Sequence, residues 1–109
     1  MIFIDTQDFF VKANRAVRPS RDLEKEYAIQ ARAGNQEAKD RLVEGYMPII
    51  ASYVKRLGKE MQSLELIYRM VNMLEREVEA FDFLQDGEAF THRLSLRCKK
   101  IVTEYIADR

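Results

Sequence analysis

The residue types that most often carry catalytic or metal chemistry are scarce in this sequence. His92, the one histidine, finds no metal-ligand partner in Cys98, which follows six residues later at an unfavourable helical angle. Cys98 itself falls on an apolar helical stripe, which indicates a small core residue rather than a nucleophile. No glycine-rich phosphate loop is present. The sequence therefore predicts a protein that is not an enzyme and that holds no metal ion or cofactor.

The charged residues could carry binding instead. Lys+Arg and Asp+Glu both number 18, but they are unevenly distributed along the chain. Residues 60–90 hold eight acidic and two basic side chains, whereas residues 91–103 hold four basic side chains and no acidic one. This separation is typical of a protein that offers one face to a protein and another to a polyanion. Accidental clustering on a solvated surface is the alternative.

The elements that position these charges are predicted to be helices in one domain. A chain of 109 residues has room for one hydrophobic core. Its longest apolar runs are too short for a membrane span, and the opening MIFI is too short for a signal peptide. A single cysteine offers no disulfide framework, which favours a cytoplasmic location.

Apolar residues recur at helical spacing along the whole chain, and capping residues divide them into six predicted helices. The predicted starts are, in order, Thr6, Ser20, Asn35, Pro48, Ser63 and the Asp86-Gly87 turn. We therefore expect an all-α fold, a single compact bundle of about six helices. Its parts are two lead-in helices in 1–34, a middle group in 35–82 and a last helix in 88–109.

The fifth predicted helix has the clearest amphipathic period. Its core-facing residues are expected to be Ile67, Met70, Val71, Leu74, Val78 and Phe81. Its outer face is either a docking surface or ordinary solvated charge. Met73 lies off this stripe, where it either covers a neighbouring helix or fills a dimer contact.

Four segments in order resemble the central part of bacterial RNA polymerase sigma factors of the sigma-70 class. They read DLEKEYAIQARAGNQEA, PIIASYVKRL, ELIYRMVNMLEREVEAFD and AFTHRLSLRCKKIVTEYIADR. The likeness covers nearly the whole chain, from Thr6 to Arg109. It implies a helical domain that docks on the clamp coiled coil of core RNA polymerase and holds the displaced non-template strand of promoter DNA.

The resemblance assigns polymerase binding to the fifth helix. Carried over by position, the docking residues are Glu65, Tyr68, Arg69, Val71 and Asn72. Glu65 keeps the acidic charge that the family has there. Tyr68 and Val71 replace family amides, and Arg69 reverses the sign of a family acid, so docking on an ordinary clamp is expected to be altered.

The resemblance assigns promoter contact to the last helix. The residues carried over are Phe90, Arg93, Leu96, Arg97, Lys99 and Lys100. Family members have aromatic side chains at the positions of Arg93, Leu96 and Arg97, where bases stack. Phosphate attraction is therefore expected to survive and base reading to be lost. A solvated basic face is the alternative.

The resemblance thus predicts a stand-alone, sigma-like initiation protein that contacts promoter DNA weakly. A separate helix-turn-helix protein would supply the reading of the upstream element, and an anti-sigma factor is a further expected partner. The competing hypothesis is a sigma-derived interaction module that has lost promoter activity and works as a homodimer or by binding another regulator.

Overall fold

The computed structural model describes residues 2–84 and 87–108, and over these ranges it contains helices and no strand. The α-helices are α1 Thr6–Arg15, α2 Arg21–Arg32, α3 Gln36–Lys55, α4 Leu64–Ala80 and α5 Gly87–Ala107, with a short 3-10 turn at Lys59–Met61. The all-α prediction is confirmed. Five α-helices are present in place of the six expected, and Asp86 of the predicted turn lies outside the described residues.

The missing helix boundary is at Pro48. The sequence predicts that Pro48 opens a new helix, which is wrong, because α3 runs through it from Gln36 to Lys55. Proline inside a helix costs about 3 kcal/mol. Met47 and Ile50, on either side of it, are fully buried, and burying such side chains contributes about 1.5–3 kcal/mol each. Packing against the core therefore offsets the local cost of the proline.

Local capping chemistry sets most of the other boundaries. Ser20, Asn35 and Ser63 are confirmed as N-caps, since their side-chain oxygens accept the backbone N–H of the third residue on. Gly34 has φ of +100°, the left-handed conformation expected at a helix end. The predicted cap at Thr6 is wrong, because Asp5 Oδ1 accepts the N–H of Asp8 at 2.8 Å.

Helix α3 contacts each of the other four α-helices, while α4 packs against α1, α3 and α5. The predicted stripe from Ile67 to Val78 is buried, and Phe81 is half-buried. Met73 is also buried, so it fills the interior of this bundle rather than a dimer contact. The helix with the clearest amphipathic period in the sequence thus contributes its apolar side to the core.

In the ranges that the structure describes, no helix combines the length and the hydropathy that crossing a bilayer requires.

Candidate functional site

The exposed residues of α4 form a single line. Between Leu64 and Val78, the exposed side chains are Glu65, Arg69, Asn72 and Arg76, at spacings of four, three and four. The remaining positions of this segment are buried or half-buried. These four residues are called the α4 stripe below. It is polar throughout and holds one acid, one amide and two arginines, which suits a partner surface that carries charges of both signs.

Arg69 is already paired within the chain. Its Nη2 lies 3.3 Å from Glu65 Oε1, one helical turn away, and its guanidinium is 5.9 Å from the ring of Tyr105 on α5. An open cleft between the two helices is lined by these three residues and by Asp108. The reversed charge at Arg69 is therefore paired with Glu65, although exposed pairs of this kind contribute only about 0–1 kcal/mol.

Two of the five predicted docking residues do not lie on this surface. Val71 is 1% exposed, because it follows Met70 on the apolar side of α4 and packs in the core. Tyr68 is half-buried and bonds the N-terminal segment: its hydroxyl accepts the N–H of Phe3 at 2.8 Å and donates to the Phe3 carbonyl at 3.2 Å. Glu65, Arg69 and Asn72 remain together as accessible neighbours.

Helix α5 has a buried side and a basic outer side. Arg93, Leu96, Arg97, Lys99 and Lys100 are all exposed, and Leu96 keeps 54% of its surface open. These five predicted DNA-binding residues lie on consecutive turns of one helix. Arg93, Arg97 and Lys100 follow at spacings of four and three and share one line, whereas Lys99 lies roughly 120° around the helix from Arg93. These four exposed cations are called the basic face below.

Phe90 is the exception among the predicted DNA-binding residues. It is 0% exposed, and its ring centroid lies 4.7 Å from that of Tyr46, 4.8 Å from Phe83 and 5.0 Å from Phe81. Such close aromatic packing leaves no face for a nucleic-acid base. The resemblance carries Phe90 over as a DNA-binding residue, but in this structure its ring packs in the core and is not accessible to DNA.

Glu77 of α4 forms ion pairs with the basic face of α5, a contact that we did not predict from the sequence. Its two carboxylate oxygens lie 2.6 Å from Arg93 Nε and 3.2 Å from Arg97 Nε. Among the described residues, Lys99 and Lys100 make no ion pair. No periodicity rule links side chains on two helices, and only the change of charge sign between residues 60–90 and 91–103 points towards such a contact.

A second feature invisible in the sequence is the buried carboxylate of Glu24, which is 1% exposed. Glu24 Oε1 accepts Arg21 Nη1 at 2.8 Å, and Oε2 accepts the hydroxyl of Tyr46 at 2.5 Å. Burial, followed by the hydrogen bond to Glu24, raises the pKa of Tyr46. All of these polar groups have partners, which makes the cluster a structural link between α2 and α3.

Among the residues that the structure describes, no group of three or more histidine, cysteine and acidic side chains is placed to hold a metal ion. His92 is exposed on α5, whereas Cys98 lies in the core.

We expect Cys98 to react with the thiol reagent DTNB only slowly in the folded protein. Burial raises the pKa of its thiol to about 12, from an ordinary value of 9.0. At about pH 8 the reactive thiolate is then on the order of a thousandfold less abundant than in the unfolded chain. Absorbance of the released thionitrobenzoate, with and without guanidinium, measures this difference. Equal rates in both conditions would show that Cys98 is accessible.

Comparison with known proteins adds no assignment: no family model matches the chain, and no solved structure is significantly similar to it.

Proposed function

We propose that this chain is a sigma-like transcription-initiation protein, which binds core RNA polymerase through Glu65, Arg69 and Asn72 of the α4 stripe and contacts promoter DNA through the basic face of α5. One observation carries the proposal. Helix α4 leaves one polar line open, and three of its residues, Glu65, Arg69 and Asn72, occupy positions to which the sequence resemblance assigns docking on the clamp coiled coil.

The proposed DNA contact is electrostatic. Lys99 and Lys100 are exposed and are available to phosphate groups, whereas Phe90 and Tyr105 of α5 are buried. Stacking on aromatic rings is what holds unpaired bases in most single-strand binding proteins. The basic face is therefore suited to weak, salt-sensitive contact with the non-template strand, with little selection among bases. Reading of the upstream element would fall to a separate helix-turn-helix partner, and an anti-sigma factor would compete for the α4 stripe.

The test of docking is the charge at Arg69. The family carries an acidic side chain at the matching position, so the proposed clamp surface is complementary to a negative charge there. We expect Arg69→Glu to tighten binding to core polymerase by about tenfold or more, because a like-charge contact at an interface costs several kcal/mol. Biolayer interferometry with immobilised core polymerase measures the affinity.

Arg76→Glu is the matched control for this variant. It makes the same change of charge on the same stripe, two helical turns away, at a position that the resemblance does not assign to docking. We expect its effect to be much smaller than that of Arg69→Glu. Weaker binding by Arg69→Glu, or equal effects of the two variants, would mean that the docking surface has been placed wrongly.

The second candidate function is a helical interaction module without promoter activity. It is favoured by the burial of Phe90 and by the engagement of Arg93 and Arg97 with Glu77, since both remove groups from contact with DNA. Sedimentation of the purified chain separates the two functions. A homodimer that does not bind core polymerase supports the interaction module. A monomer that binds polymerase supports the initiation function.

A further inference from the structure

The side chain of Glu77 on α4 contacts two arginines on the basic face of α5. Glu77 leaves α4 on the side that faces α5, and its side chain is only 11% exposed. Arg93 and Arg97 lie one turn apart on α5 and are about half exposed. One oxygen of Glu77 accepts Arg93 Nε at 2.6 Å, and the other lies 3.2 Å from Arg97 Nε. A single acid thus engages two cations.

Lys99 and Lys100 provide the contrast on the same helix. Both are exposed, and neither makes an ion pair with any residue that the structure describes. The basic face therefore has two kinds of cation. Its arginines share one carboxylate, while its lysines face solvent alone.

We propose that Glu77 is an internal competitor for phosphate, which withholds Arg93 and Arg97 from polyanions and keeps the affinity of the basic face low. A phosphate group that approaches either guanidinium meets the negative charge of Glu77 behind it. Because Glu77 lies against the Nε of both arginines, the phosphate can bind only the other guanidinium N–H groups, close to that negative charge, unless it displaces the carboxylate. The proposal rests on the proposed function only for the nature of the polyanion, a single nucleic-acid strand.

The most direct test is Glu77→Gln, measured with a fluorescein-labelled oligothymidylate by anisotropy over a series of salt concentrations. We expect binding to tighten by about threefold to tenfold at low salt, because one repulsive charge near two phosphate contacts is removed. The slope of log affinity against log salt should steepen by about 0.7, the value for one additional charge on a single strand.

Glu75→Gln is the matched control. It removes the same charge from the same helix, but Glu75 faces a groove formed with α3, which includes Gln36 and Lys39, rather than α5. Its affinity and salt slope should stay at the values of the unmodified chain. Circular dichroism verifies that both variants are folded.

A second comparison does not depend on altering Glu77. Arg97→Gln removes a cation that is already engaged, whereas Lys100→Gln removes a free one on the same face. We expect Lys100→Gln to weaken oligothymidylate binding more than Arg97→Gln does. In the Glu77→Gln background this order should disappear, because Arg97 is then released.

Each outcome decides something. If Glu77→Gln binds no more tightly than the unmodified chain, or if Glu75→Gln tightens binding equally, the competition is disproved. It is also disproved if Arg97→Gln weakens binding at least as much as Lys100→Gln, or if neither the unmodified chain nor Glu77→Gln binds. Binding by Glu77→Gln alone would support the competition and contradict the proposed DNA contact of the unmodified chain. Polymerase binding is a separate measurement, and none of these DNA-binding results decides whether the chain docks on polymerase.

Discussion

Replacing Phe90 with alanine is expected to lower the free energy of unfolding by about 3–5 kcal/mol. The ring is fully buried among Tyr46, Phe81 and Phe83, so its removal leaves a cavity and loses three aromatic contacts. A small domain has a total stability of only about 5–15 kcal/mol. The variant should therefore unfold at a much lower urea concentration than the unmodified chain. Circular dichroism at increasing urea concentrations measures the unfolding.

Leu96→Ala is the control for Phe90→Ala on the same helix. Leu96 is exposed, so its replacement should change the stability by no more than about 0.5 kcal/mol. The pair separates a core role from a base-stacking role at Phe90. If Phe90→Ala keeps the stability of the unmodified chain and loses only its affinity for single-stranded DNA, the ring is available to bases and its placement in the core is wrong.

Replacing Glu24 with alanine is expected to lower the free energy of unfolding by about 2–3 kcal/mol. The hydroxyl of Tyr46 would lose its acceptor in the core, and Arg21 and Arg18 would lose the carboxylate that they face. The two arginines are more than a third exposed, so water compensates part of the loss. Urea denaturation measures the change.

Glu26→Ala serves as the control for this position, because Glu26 is exposed on the same helix. It should be nearly neutral. Adding Tyr46→Phe to Glu24→Ala removes the unpaired hydroxyl, and the double variant should recover about 1 kcal/mol relative to the sum of the single changes. Additive losses would show that Glu24 and Tyr46 are not coupled as the structure has them.

The features that the sequence predicts well are those that depend on near neighbours. The caps at Ser20, Asn35 and Ser63 need only a side chain three residues before the N–H that it accepts, and the period of α4 needs only a helical spacing. The boundary at Pro48 failed because its outcome depends on tertiary packing. Local preference favours a break there, while burial of both flanking segments favours a continuous helix.

The candidate site shows the same limit. Resemblance places Val71 and Phe90 at functional positions, but accessibility depends on which side of each helix the rest of the chain covers. The contacts of Glu77 with α5 and of Tyr68 with Phe3 join residues far apart in the sequence. Composition and periodicity contain no information on such pairs. The three predicted docking residues that share the α4 stripe lie within two helical turns, where spacing alone is informative.

The central claim, that the α4 stripe docks on polymerase, is tested most directly by sedimentation velocity of the fluorescently labelled chain mixed with core RNA polymerase. We expect the label to move with polymerase in a stoichiometric complex, and an isolated clamp coiled-coil fragment to release it. The contradicting result is a label that sediments alone, as a free chain of 12.8 kDa, in the presence of saturating polymerase.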